Sequence, residues 1–113
     1  MKIEISTKTK GLTNSMFPKE DLHVEDYVEL PDGSRLIFKG ELVLRSYGNP
    51  TLVIANLMFG PKSTSDSVSE WLFQKLNGNA SELVINTRNV PLDKDRIKKT
   101  IEVEVKRSDM LLI

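Results

Sequence analysis

Between Gly60 and Ser67 the chain reads GPKSTSDS, one lysine and a cluster of hydroxyls leading into the apolar stripe of a helix. Those residue types suit an anion. A helix N-terminus presents unpaired N–H groups and the positive end of the helix dipole. Gly60, Lys62, Ser63, Thr64 and Ser65 would form the cradle, with Arg88 or Arg96 supplying a second charge. The spacing departs from the phosphate loop, which needs G-x-x-x-x-G-K-[ST]. Here Pro61 separates Gly60 from Lys62, and apolar residues stand upstream where the first glycine belongs. Asp66 and Glu70 would also repel an anion near the first turn. A capped helix start accounts for the same residues: Ser65 or Ser67 as cap, Glu70 closing a capping box with Ser67, and Asp66 complementing the dipole.

A second cluster surrounds His23, the single histidine, which lies among Glu20, Asp21, Glu25 and Asp26. A histidine oriented by a carboxylate can act as a base, and Asp26 or Asp93 would be its acidic partner in an enzyme. No H-x-H or H-E-x-x-H spacing accompanies it, so a metal site has no second imidazole. An exposed or edge-strand histidine is the simpler expectation. Asp93-Lys-Asp95 opens like a calcium loop but lacks its third ligand, glycine and final glutamate. No G-x-S-x-G nucleophile elbow occurs. The residues call for no cofactor.

The chain that must position these groups has 113 residues, the size of one domain, with no cysteine. Disulfides, iron–sulfur clusters, thiolate zinc sites and cysteine nucleophiles are thereby excluded, and a reducing, cytoplasmic setting is the expectation. Sixteen basic and sixteen acidic residues cancel. That balance disfavours nucleic acid held by phosphate neutralisation. The first residues, MKIEISTKTKG, alternate like a strand and carry no apolar signal core. No window reaches the roughly 20 apolar residues of a membrane span.

Ile3 and Ile5 define a first strand, and residues 8–22 read as a loop with Met16 and Phe17 tucked beneath it. VEDYVEL (24–30), Pro31-Asp-Gly-Ser34 and RLIF (35–38) form a hairpin, because proline presets φ and glycine accepts positive φ. Lys39-Gly40 predicts a bulge before ELVLRS (41–46). Tyr47-Gly-Asn-Pro50 is a turn. TLVIANLMF (51–59), apolar on both faces, is expected to be a central strand covered on both sides. Its one amide, Asn56, must pair with a loop, line a pocket or face an interface.

Val68, Trp71, Leu72 and Leu76 make one helical stripe with Phe73 beside it, stopped by Asn77-Gly78. SELVINTRNV (81–90) reads as a strand ended by Pro91, LDKDRIKK (92–99) as a helical turn or charged loop, and IEVEV (101–105) as an alternating strand. The expected fold is therefore a single α+β domain over 1–113, with five to six mostly antiparallel strands and one main helix, about 66–77, packed on the sheet.

Ser108-Asp109 reads as a turn. It would fold back Met110, Leu111, Leu112 and Ile113, whose apolar side chains are expected to pack beside Ile3 and Ile5 or in a second subunit. Arg96, Lys98, Lys99, Lys106 and Arg107 make this end basic, while 19–29 is acidic, so two charge poles exist. The leading functional expectation is a non-catalytic binding or adaptor module that contacts a protein partner, itself first. A small anion or nucleotide bound at 60–67 is the alternative, and a carboxylate–histidine enzyme the third.

Overall fold

Period-2 alternation at the start of the chain builds β1 (Lys2–Thr7), with Ile3, Ile5 and Thr7 buried and Glu4 and Ser6 turned the other way. The computed structural model describes residues 1–9, 11–43 and 50–111, the side chains of 108–111 excepted. β1 lies inside the sheet, between β4 (Thr51–Met58) and β5 (Glu82–Ile85), antiparallel to both. The six strands run in the order β2-β3-β4-β1-β5-β6. β4 and β5 are consequently parallel to each other, and α2 (Ser65–Leu76) makes the crossover between them.

β2 (Tyr27–Glu29) and β3 (Arg35–Val43) form the expected hairpin. Its turn is closed by the Leu30 N–H donating to the Ser34 carbonyl at 2.8 Å, with Gly33 at φ 88°. The bulge is also present. Phe38 pairs with Ala55 and Gly40 with Ile54, leaving Lys39 unmatched, and Gly40 holds φ 137°. The turn expected at 47–50 and strand residues 44–46 lie outside the described residues, apart from Pro50.

Two expected strands were different in kind. Residues 81–90 are not one strand but the hairpin of β5 and β6 (Arg88–Val90), turned at Asn86 and Thr87 with φ 46° and 73°. Positive φ at both positions is the type I′ form of a two-residue hairpin turn. Threonine is a poor advertisement for that conformation, so the turn had no sequence signal. Residues 101–105 are not a strand either: they lie within α3 (Lys94–Leu111), which also runs through the supposed Ser108-Asp109 turn. Ile97 and Ile101 are fully buried one turn apart, Glu104 is buried on the next turn, and Val103 is 47% exposed. In a strand Ile101 and Val103 would have shared a face. Asp93 starts the helix, its carboxylate accepting from the Arg96 N–H at 3.1 Å.

α2 forms as expected, with Val68, Leu72 and Leu76 buried and Trp71 and Phe73 half-buried. Its cap, however, is Thr64 rather than Ser65 or Ser67: Thr64 Oγ1 accepts from the Ser67 N–H at 3.1 Å. Ser67 therefore occupies the position a capping-box glutamate would take. Gly78, at φ 78°, follows the helix end. The loop 8–22 contains a short helix, α1 (Leu12–Met16), and Met16 and Phe17 are buried as expected. Phe17 meets Phe38 edge-on at 5.3 Å between ring centres.

The buried residues of all three helices and of the inward sheet face form one core. The second face of β4 is not covered as expected: Leu52, Ile54 and Asn56 are half-exposed and Met58 is 53% exposed. Apolar residues on both sides of a strand look alike in sequence whether or not a second layer exists.

Candidate binding surfaces

The 60–67 turn is tied together by its own polar groups. Gly60 N–H donates to Ser63 Oγ at 2.7 Å, and the buried Ser34 hydroxyl donates to the same oxygen at 2.6 Å. Asp32, from the β2–β3 turn, accepts from the N–H of Ser34 at 3.0 Å and from the N–H of Thr64 at 3.1 Å. Burial alone would raise the pKa of Asp32, but the hydrogen bonds from Ser34 and Thr64 outweigh it and hold the carboxyl below its ordinary value. The anion at the start of α2 is thus Asp32, 32 positions upstream of the Thr64 cap. An external anion at Gly60, Ser63 and Thr64 would meet N–H groups already engaged and a carboxylate beside them. Lys62 is exposed.

Arg88 is not brought to this turn. It sits on the edge strand β6, where its Nε lies 2.8 Å from Glu104 Oε1. That contact is an ion pair without an aligned hydrogen bond, because Oε1 has no hydrogen-bond donor in line. Glu104 Oε2 accepts from Asn86 Nδ2 at 3.3 Å. The histidine and one carboxylate do meet: His23 Nδ1 lies 4.0 Å from Asp26 Oδ2, whose carboxylate also accepts from the His23 N–H at 2.7 Å, but the pair is at the surface. The His23 side chain is 77% exposed, with Nδ1 2.7 Å from the Asp21 carbonyl. Asp26 is held below the usual carboxylate range by the Lys19 ammonium and then by the His23 N–H, while Asp93 is spent on capping α3. Among the described residues no group of three or more histidine or acidic side chains could hold a metal ion.

Ser63 and Ser65 do line a cleft of about 680 Å³, together with Met1, Phe59, Glu102, Val105 and Lys106. It lies between the end of β4, the start of α2 and the middle of α3. Sequence reasoning missed Glu102, Val105 and Lys106 as partners because it placed 101–105 in a strand. A helical reading of the spacing Ile97, Ile101, Val105 was the signal that could have found them.

A further apolar surface lies on the face of the sheet away from the helices. Cross-strand register places Leu42 opposite Leu52, Ile54 opposite Gly40, Ile37 opposite both Tyr27 and Asn56, and Met58 opposite Arg35. All of these sit on the face away from the helices. Tyr27, Leu42 and Met58 are each more than half exposed. Arg35 stacks over the Tyr27 ring at 4.5 Å, and Lys2 and Glu4 pair at 3.7 Å across the β1 segment of the face. Asn56, at its centre, accepts from the Met1 amine at 3.0 Å. The expected interface residues Met110, Leu111, Leu112 and Ile113 have side chains outside the described set.

No helix among the described residues is long and apolar enough to cross a membrane. Comparisons with protein-family models, with curated proteins and with solved structures find no match.

Proposed function

We propose that the protein is a non-catalytic binding module that docks a protein partner, a second copy of itself first, through the open face of its sheet. One observation carries this reading: helices cover one face of a six-stranded sheet and leave an apolar belt on the other. Exposed apolar side chains gathered on one surface mark interaction sites more often than scattered ones do. Six strands, five gaps of about 4.8 Å, span roughly 24 Å, a breadth suited to an interface of modest size. The oppositely charged Lys2 and Glu4 would each find a counterion across a two-fold axis. The absence of cysteine supports a cytoplasmic setting.

Sedimentation velocity on the full chain, on Ile54→Lys and on a chain ending at residue 109 tests the proposal. The full chain is expected to dimerise in the micromolar range and Ile54→Lys to remain folded and monomeric. A full chain that stays monomeric at high micromolar concentration sinks the reading. A dimer indifferent to Ile54→Lys but lost on removing 110–113 transfers the interface to the C-terminal segment.

A further inference from the structure

We propose that the cleft between Phe59 and α3 binds a small zwitterion carrying an apolar side chain, the chemistry of a free α-amino acid with a large hydrophobic group. This site is separate from the exposed side chains of the open sheet face, although Met1 lines it and also bonds Asn56. Its volume of about 680 Å³ falls within the roughly 300–1,000 Å³ of typical ligand pockets. The apolar part of the wall comes from Met1, Phe59 and Val105. Phe59 is 37% exposed, an aromatic ring still accessible to solvent at the cleft.

The polar part has two opposite side-chain charges, while the Met1 ammonium is engaged by the Asn56 amide oxygen and the Leu57 carbonyl. Glu102 and Lys106 are four residues apart on α3 and both line the cleft. Glutamate four residues before lysine is the favourable order for an ion pair along a helix. That pair is not made. Glu102 Oε1 instead accepts from the Ser65 hydroxyl at 3.0 Å, which ties the carboxylate to the start of α2. Among the described residues neither Glu102 nor Lys106 has an ion-pair partner, whereas Lys94 and Lys98 on the same helix both approach Asp66.

A simple anion would be drawn to Lys106 and repelled by Glu102, and a simple cation the reverse. A ligand with an ammonium and a carboxylate on one carbon satisfies both, and its side chain lies on Phe59 and Val105. Ser65, already donating to Glu102, keeps that carboxylate in place at the ammonium position. The free amino acid rather than a peptide fits, because one turn of helix separates the two charges.

The test is a chemical-shift titration of the ¹⁵N-labelled full chain, without an N-terminal extension, using three probes: phenylalanine, N-acetylphenylalanine and phenylalaninamide. Phenylalanine is expected to give saturable shifts around Phe59, Ser65, Glu102 and Lys106 in the millimolar range or below. Removing the ammonium or the carboxylate should weaken binding roughly tenfold, as should Glu102→Gln and Lys106→Met in the protein. Both positions are exposed, so both variants keep the fold. Equal binding of all three probes overturns the proposal, as do shifts confined to the open sheet face or no saturable shift with phenylalanine. Because these readouts are local to the cleft, they are unaffected by whether the protein dimerises.

Discussion

The carboxylate of Asp32 accepts a hydrogen bond from the backbone N–H of Thr64 at 3.1 Å, joining the β2–β3 turn to the start of α2. It simultaneously holds its own turn through the Ser34 N–H. One side chain therefore closes the hairpin and occupies the positive end of the helix. Above the ordinary carboxyl pKa of 3.8 the carboxylate form is favoured more in the folded than in the unfolded chain, since the folded value is lower. Its stabilisation is present above that pH and is lost as pH falls through the folded value. Asp32→Asn is expected to cost about 1–2 kcal/mol at neutral pH. The gap in melting temperature between the two proteins should narrow as the pH is taken below 3.8 towards the lower folded value. A gap that stays constant would show that the carboxylate charge is irrelevant. Asp26, also held low, is common to both proteins and cancels in the difference.

Gly60 is required for space. A Cβ there would stand 2.8 Å from the Gly33 carbonyl oxygen, a backbone atom that cannot swing aside. Gly60→Ala should therefore destabilise by roughly 1–3 kcal/mol through displacement of one turn from the other. Urea unfolding measures it. A midpoint equal to that of the wild type would mean the two turns separate freely.

Glu104 is 3% exposed and faces Arg88 and Asn86. Arg88→Met leaves this buried carboxylate without its cation. Losing a partner costs about 3–5 kcal/mol in fully buried pairs, and the half-exposed Arg88 places the expected loss below that range. Arg88→Met with Glu104→Met should recover most of it, because an apolar pair removes the stranded charge. A double variant less stable than Arg88→Met would contradict this account.

The face of α3 that meets the core can be checked by truncation. Ile101→Ala should cost about 2–5 kcal/mol, while Val103→Ala, at a position 47% exposed, should cost under about 1 kcal/mol. Similar losses at the two positions would indicate that they share a face, as in a strand, and would overturn the helical assignment.

Local chemistry was enough for much of this molecule. Pro31-Asp-Gly33 announces its turn because glycine alone takes φ 88° without cost. Gly40 marks its bulge for the same reason, and the stripe from Val68 to Leu76 states its helix. These features depend on residues within one or two turns of chain. IEVEV does not, since its alternation suits a strand and its spacing from Ile97 suits a helix. The core settled the matter by burying Ile97 and Ile101 together against α2 and the sheet. Asn86-Thr87 became a turn because Lys2, from the far end of the chain, fastens Asn86 with two backbone hydrogen bonds, donating to its Oδ1 at 2.8 Å and accepting from its N–H at 3.0 Å. The candidate sites belong to the same category. Ser65 meets Glu102 across 37 positions and Asp32 meets Thr64 across 32. Whether β4 has one covered face or two depends on how many layers the fold builds. A linear pattern of apolar residues records what can be buried, and only the packed structure decides what is.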